Sequence, residues 1–162
     1  MRWIWIDCFE VFEPRRRAVA LKNVTLAEEH LHDHFPGFPV MPASLLIEGM
    51  AQTAGILVGE AKDFTEKVIL AKIKRAVFHR FVRPGQQVRH EAVLEHLTDA
   101  AASTRGRILC GDELVGEVDL VFSHIDQNLS GLNFPKENFV FTHEFMALLK
   151  TYRDSRAERI TL

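Results

Sequence analysis

Cysteine is scarce: the chain of 162 residues has two, Cys8 and Cys110, too few and too far apart for a disulfide framework or a cysteine zinc site. A reducing, cytoplasmic setting is expected. Positive charge is not in excess: 20 Lys and Arg against 22 Asp and Glu leave a net charge of -2, without the basic footprint that nucleic acid needs. The opening "MRWIWIDCFEVFEP" has no unbroken apolar core, because Asp7, Glu10 and Glu13 interrupt it, so it does not read as an export signal. The longest apolar stretch, Ala43 to Gly59, contains Glu48 and Gln52 and is shorter than the roughly 20 residues that cross a bilayer. No membrane span is expected, and no repeat or low-complexity segment is evident.

With 47% hydrophobic and 26% charged residues, the chain has the composition of one globular domain with a real core. Residues 2–12 and 17–26 read as strands, separated by a turn at Pro14 and the run Arg15 to Arg17. Pro36, Gly37, Pro39 and Pro42 forbid regular helix over 35–42 and make a stiff loop. Pro42 suits a helix start, where its missing N–H costs nothing, and 43–60 is apolar on nearly every face, so that helix should be surrounded. Its small residues Gly49, Ala51, Ala54, Gly55 and Gly59 admit close approach, which suits a sheet wrapped around it. Four strands follow within 68–124, with turns at Arg83-Pro84-Gly85 and Cys110 to Glu113, the latter closing an antiparallel hairpin. After His124 the chain turns loop-like, and Phe145, Leu148, Leu149 and Tyr152 then recur at helical spacing. An α+β architecture is expected: a long central helix wrapped by a curved antiparallel sheet over 1–124, then an extension over 125–162 with an added C-terminal helix, packed on the domain or on a partner.

His30, His32 and His34 alternate as strand residues would, a spacing that invites a metal reading, but nothing later in the chain completes a ligand set. His34 stands apart because the rigid loop follows it directly, and a general base must be held in place. Glu48 lies 14 residues on, inside the apolar helix, where an ionised carboxylate needs a partner or takes up a proton. Two readings stay open there: a base and acid pair with His34, or a carboxylate satisfied by Gln52 one turn away. Free amides near Ala43 and Ser44, at the positive end of the helix, suit a carbonyl oxygen that gains negative charge.

The stretch "HFPGFPVMPASLLIEGMAQ", residues 34–52, resembles the signature of the 3-hydroxyacyl-[acyl-carrier-protein] dehydratases of fatty-acid synthesis. The resemblance runs from about Ile6 to His124. It implies the hot-dog fold and a homodimer or trimer of dimers. It also implies dehydration of (3R)-3-hydroxyacyl thioesters, on acyl carrier protein or coenzyme A, without metal or other cofactor. By the same likeness His34 and Glu48 are the catalytic pair, given by opposite subunits. The Val40 carbonyl orients His34, the Ala43 amide binds the thioester oxygen, and Gly37 and Gln52 complete the substrate-binding set. Three positions depart from the pattern: Ala43 replaces a glycine, Gly49 an alanine, and Phe38 stands where a polar residue is common. Lys72, Lys74, Arg75, Arg80 and Arg83 read either as a basic rim for an acidic carrier protein or as solvated strand charges. Other functions open to such a fold are a dehydratase of polyketide or aryl-polyene assembly and a non-catalytic acyl-binding protein.

Overall fold

A computed structural model describes residues 3–125 and 135–154, the side chains of 144, 148 and 151–154 excepted. In chain order the elements are β1 (Cys8–Glu13), β2 (Arg17–Asn23), α1 (His30–Asp33), α2 (Ala43–Glu60), β3 (Val68–Phe78), β4 (Gln87–Leu97), β5 (Ala101–Cys110), β6 (Glu113–His124) and α3 (His143–Asp154). The strands form one antiparallel sheet in the order β1-β2-β4-β5-β6-β3. The fold is the α+β hot dog: α2 lies in the curve of the sheet and packs against strands β2 to β6. Register shifts at Leu70/Lys72, Ile73/Arg75 and Leu94/His96 bend the strands around it.

The inner face follows from period two. Val88, His90 and Ala92 of β4, Ala102, Thr104 and Ile108 of β5, and Val118, Leu120 and Phe122 of β6 are all buried. Leu46, Met50, Ala54 and Val58 of α2 meet them, each large apolar side chain contributing about 1.5–3 kcal/mol by leaving water. Sheet and helix approach closely where side chains are small: a Cβ on Gly106 of β5 would lie 2.6 Å from the Met50 sulfur.

The His90 ring is sealed into this core. His90 is 1% exposed and its Nδ1 has no hydrogen-bond partner. Burial pushes its pKa down from 6.5 to about 3, so the folded protein holds the ring neutral. The unfolded chain takes up a proton below about pH 6.5 and the folded chain does not until about pH 3. Stability is therefore full above pH 6.5 and is lost as pH falls, with a slope approaching about 1.4 kcal/mol per pH unit. Urea midpoints between pH 7 and 4 should show this limb in the wild type and a shallower one in His90→Leu. An unchanged slope in the variant would assign the acid sensitivity elsewhere.

The strand expected over 17–26 ends at Asn23, and residues 30–33 form a short helix instead of extended chain. That corrects the premise of the metal reading, since alternation on a strand does not apply to His30 and His32. His30 packs edge-on to Trp5 with ring centroids 5.1 Å apart, and His32 Nε2 bonds the Leu26 carbonyl at 2.9 Å. Among the described residues no three His, Cys, Asp or Glu side chains gather as metal ligands.

Candidate active site

The loop after α1 positions His34 through its own backbone. The His34-Phe35 peptide is cis, the two rings stack with centroids 4.3 Å apart, and Phe35 and Phe38 exchange backbone N–H···O bonds of 3.1 and 2.9 Å. Gly37 makes that reversal at φ +74°, a conformation side chains disfavour, and it faces solvent. The chain then doubles back so that the Val40 N–H donates to the His34 carbonyl at 2.9 Å, while the Met41 N–H donates to Val82 at 2.8 Å. His34 Nδ1 lies 2.9 Å from the Val40 carbonyl. A carbonyl only accepts, so this contact places the proton on Nδ1 and leaves the lone pair on Nε2. The ring borders a cavity of about 400 Å³ whose walls include Val40, Ala43, Leu46, Phe78 and Phe81.

The same cavity reaches the start of α2. The Leu45 and Leu46 N–H groups donate to the Pro42 carbonyl, so the amides of Ala43 and Ser44 precede the helical ladder. They sit at the positive end of an 18-residue helix. The Ala43 methyl, where the resembling pattern has glycine, is exposed and lines the cavity too.

Glu48 is half-buried on the next turn but one. Gln52 donates to its Oε1 at 2.9 Å and to the Trp3 carbonyl at 3.0 Å, while the Trp5 N–H donates to Gln52 Oε1 at 2.8 Å. Gln52 thus ties the carboxylate to the N-terminal segment, the second of the two readings of this pair, and leaves Glu48 Oε2 for another donor. Gly49 beside it has no room for a side chain: a Cβ there would fall 2.5 Å from His90 Nε2 and 3.1 Å from the Trp5 carbonyl. That explains a departure from the pattern, and nothing in the sequence near Gly49 points to His90, 41 residues on. Glu48 and Gln52 border a second cavity of about 280 Å³, to which His34 does not contribute. Within one chain the two candidate catalytic groups therefore serve different cavities.

A family model described as the FabA-like domain matches residues 10–119. The chain is 40% identical over 122 residues to the 3-hydroxyacyl-[acyl-carrier-protein] dehydratase FabZ of Pelotomaculum thermopropionicum, covering 75% of this chain and 87% of that protein. The chain belongs to this dehydratase family. The FabZ of Koribacter versatilis is 41% identical over 114 residues, 69% of this chain and 73% of that one. Among solved structures, the dehydratase heterocomplex ApeI:P from Xenorhabdus doucetiae superposes with a TM-score of 0.62 at 16% identity, covering 75% of this chain and 82% of that one, a likeness of fold.

The surroundings of this dehydratase's histidine cavity are both aromatic and basic. Phe35, Phe38 and Phe81 are all more than 40% exposed, and the Arg83 guanidinium lies 4.0 Å above the Phe38 ring. Phe38, unusual for its position, is the platform for that cation. Arg80 lines the cavity and pairs with Glu113 at 2.9 Å, and Arg75 pairs with Glu117 at 2.9 Å. Two members of the basic rim are therefore partly neutralised, while Lys72, Lys74 and Arg83 are exposed.

Proposed function

We propose that the protein removes water from (3R)-3-hydroxyacyl thioesters carried on acyl carrier protein, giving trans-2-enoyl thioesters during fatty-acid synthesis in the cytoplasm. The observation that carries this reading is the His34 ring pinned by Val40 with Nε2 free, beside the first amides of α2. Family membership supplies the reaction class. His34 Nε2 takes the C2 proton, and the electron pair of the C2–H bond becomes the second C2–C3 bond. The C3–O bond breaks and Glu48 gives its proton to the departing hydroxyl, which leaves as water. The proton on His34 returns to Glu48 through solvent. The Ala43 amide holds the thioester oxygen while it carries enolate-like charge.

Such a site needs both groups on one substrate, and two chains can supply them. Strand β3 supports that arrangement. It ends the sheet beside β6, runs 11 residues, and leaves Leu70, Ile73 and Val77 between 36% and 43% exposed. An edge strand presents unpaired N–H and C=O groups and is a pairing surface, here with Lys72, Lys74 and Arg75 set among its apolar residues. We read it as the seam of a homodimer in which Glu48 of one protomer serves His34 of its partner, giving two equivalent sites. Arg83, exposed and outside β3, then offers an acidic carrier protein a contact. Purified protein should dehydrate a 3-hydroxyacyl thioester on carrier protein and hydrate the matching enoyl thioester, both followed by enoyl absorbance. Absence of turnover in both directions overturns the reading.

A further inference from the structure

The Glu48 cavity is bordered in part by residues that the family model does not reach. Glu48, Ala51 and Gly55 of α2 line one side, and Val140, Phe141 and Phe145, beyond the matched residues 10–119, line another. We propose that these three residues are the end wall of the acyl-chain site and set the longest substrate accepted. The proposal rests on the reading that Glu48 protonates the leaving hydroxyl, which puts the rest of the acyl chain in this cavity.

The wall is built into the core. Phe141 is 9% exposed and stacks edge-on with Phe64 at 5.1 Å and tilted against Phe145 at 5.9 Å. Asn138 secures its backbone: the side-chain oxygen accepts from the Val140 and Phe141 N–H groups at 3.1 and 3.0 Å, and the amide donates to the Phe64 carbonyl at 3.1 Å. The Phe141 ring fills the place of a missing side chain, since a Cβ on Gly59 would lie 2.4 Å from it. Along α2 the rise of about 1.5 Å per residue sets Gly55 roughly 10 Å and Gly59 roughly 16 Å from Glu48.

An extended chain advances about 1.2 Å per bond, judged from about 3.5 Å per three-bond residue, so eight to nine carbons beyond C3 span the shorter distance. The last α2 residues that line the cavity are Gly55 and Ile56, so the shorter distance marks its end. Chains longer than about twelve carbons in all meet Phe141 and Phe145.

The test reads kcat/KM over a 3-hydroxyacyl series from butyryl to hexadecanoyl for wild type, Phe145→Ala and Gly55→Leu, each normalised to its own butyryl value. Gly55 has ordinary contact room, its added Cβ lying 3.4 Å from Phe122, so leucine there fills the cavity instead of the core. The normalised wild-type value should drop at least about tenfold between dodecanoyl and hexadecanoyl, the discrimination a hydrophobic pocket achieves over a few methylenes. Phe145→Ala should move the drop to longer chains and Gly55→Leu to shorter ones. Three superposable profiles overturn the proposal. Calorimetric titration with saturated acyl-coenzyme A thioesters of the same lengths reads the wall without chemistry. If no thioester turns over but affinity still breaks at the same length and shifts in the variants, the function fails and the wall stands. Affinity indifferent to length and variant removes the wall.

Discussion

Replacing His34 with alanine should lower kcat for dehydration by about 100- to 10,000-fold, the contribution of a placed acid or base, with little change in KM. The half-buried ring holds one hydrogen bond, to the Val40 carbonyl, on a largely exposed loop, so the thermal midpoint should shift little. Glu48→Gln should produce a loss of the same order for a different reason. The amide is nearly the same size and still meets Gln52, but it has no acidic proton for the hydroxyl. A Glu48→Gln enzyme turning over at the wild-type rate would remove the acid from the mechanism. Comparing the two variants in stopped-flow and by thermal melting separates lost chemistry from lost structure.

The second large effect comes from mixing those two inactive proteins. If each site takes His34 from one chain and Glu48 from the other, a His34→Ala/Glu48→Gln heterodimer contains one intact site and one doubly damaged site. Random assortment on co-expression makes half of the dimers mixed, so the mixture should recover about a quarter of wild-type activity from parents that each have almost none. A mixture as inactive as its parents would show that each chain builds its site alone. The recovery should disappear when Ile73→Asp, on the exposed edge of β3, keeps the chains apart.

Much of this architecture is written in local pattern. Pro42 followed by apolar residues on every face locates α2 at 43–60, and period-two burial with a Gly111 turn at φ +59° locates β5 and β6. Patterns of that kind are local and survive folding unchanged. The order of strands is not local: β3 precedes β4 in the chain but lies beyond β6 in the sheet. Helix α1 spans only 4 residues, too short for a period to show, and its histidines mimic strand alternation. The separation of His34 from Glu48 is likewise invisible at a spacing of 14 residues, because it depends on which side of α2 each cavity opens. Arg75 and Arg80 read in the sequence as rim or solvated strand charges, yet Glu117 and Glu113 of β6 hold them.

The clamp on Gly49 has a consequence for how such a site changes over time. Position 49 is gripped between a ring on β4 and a backbone carbonyl of the N-terminal segment, so the neighbouring carboxylate inherits its place from the register of the sheet. A slip of one residue in β4 would turn His90 outward and release it. The histidine, by contrast, hangs on a loop secured by a few main-chain bonds. The two halves therefore differ in freedom to drift. New substrates are more easily accommodated by revising the loop and the aromatic residues around it than by touching the helix, where any adjustment must be absorbed by the whole core.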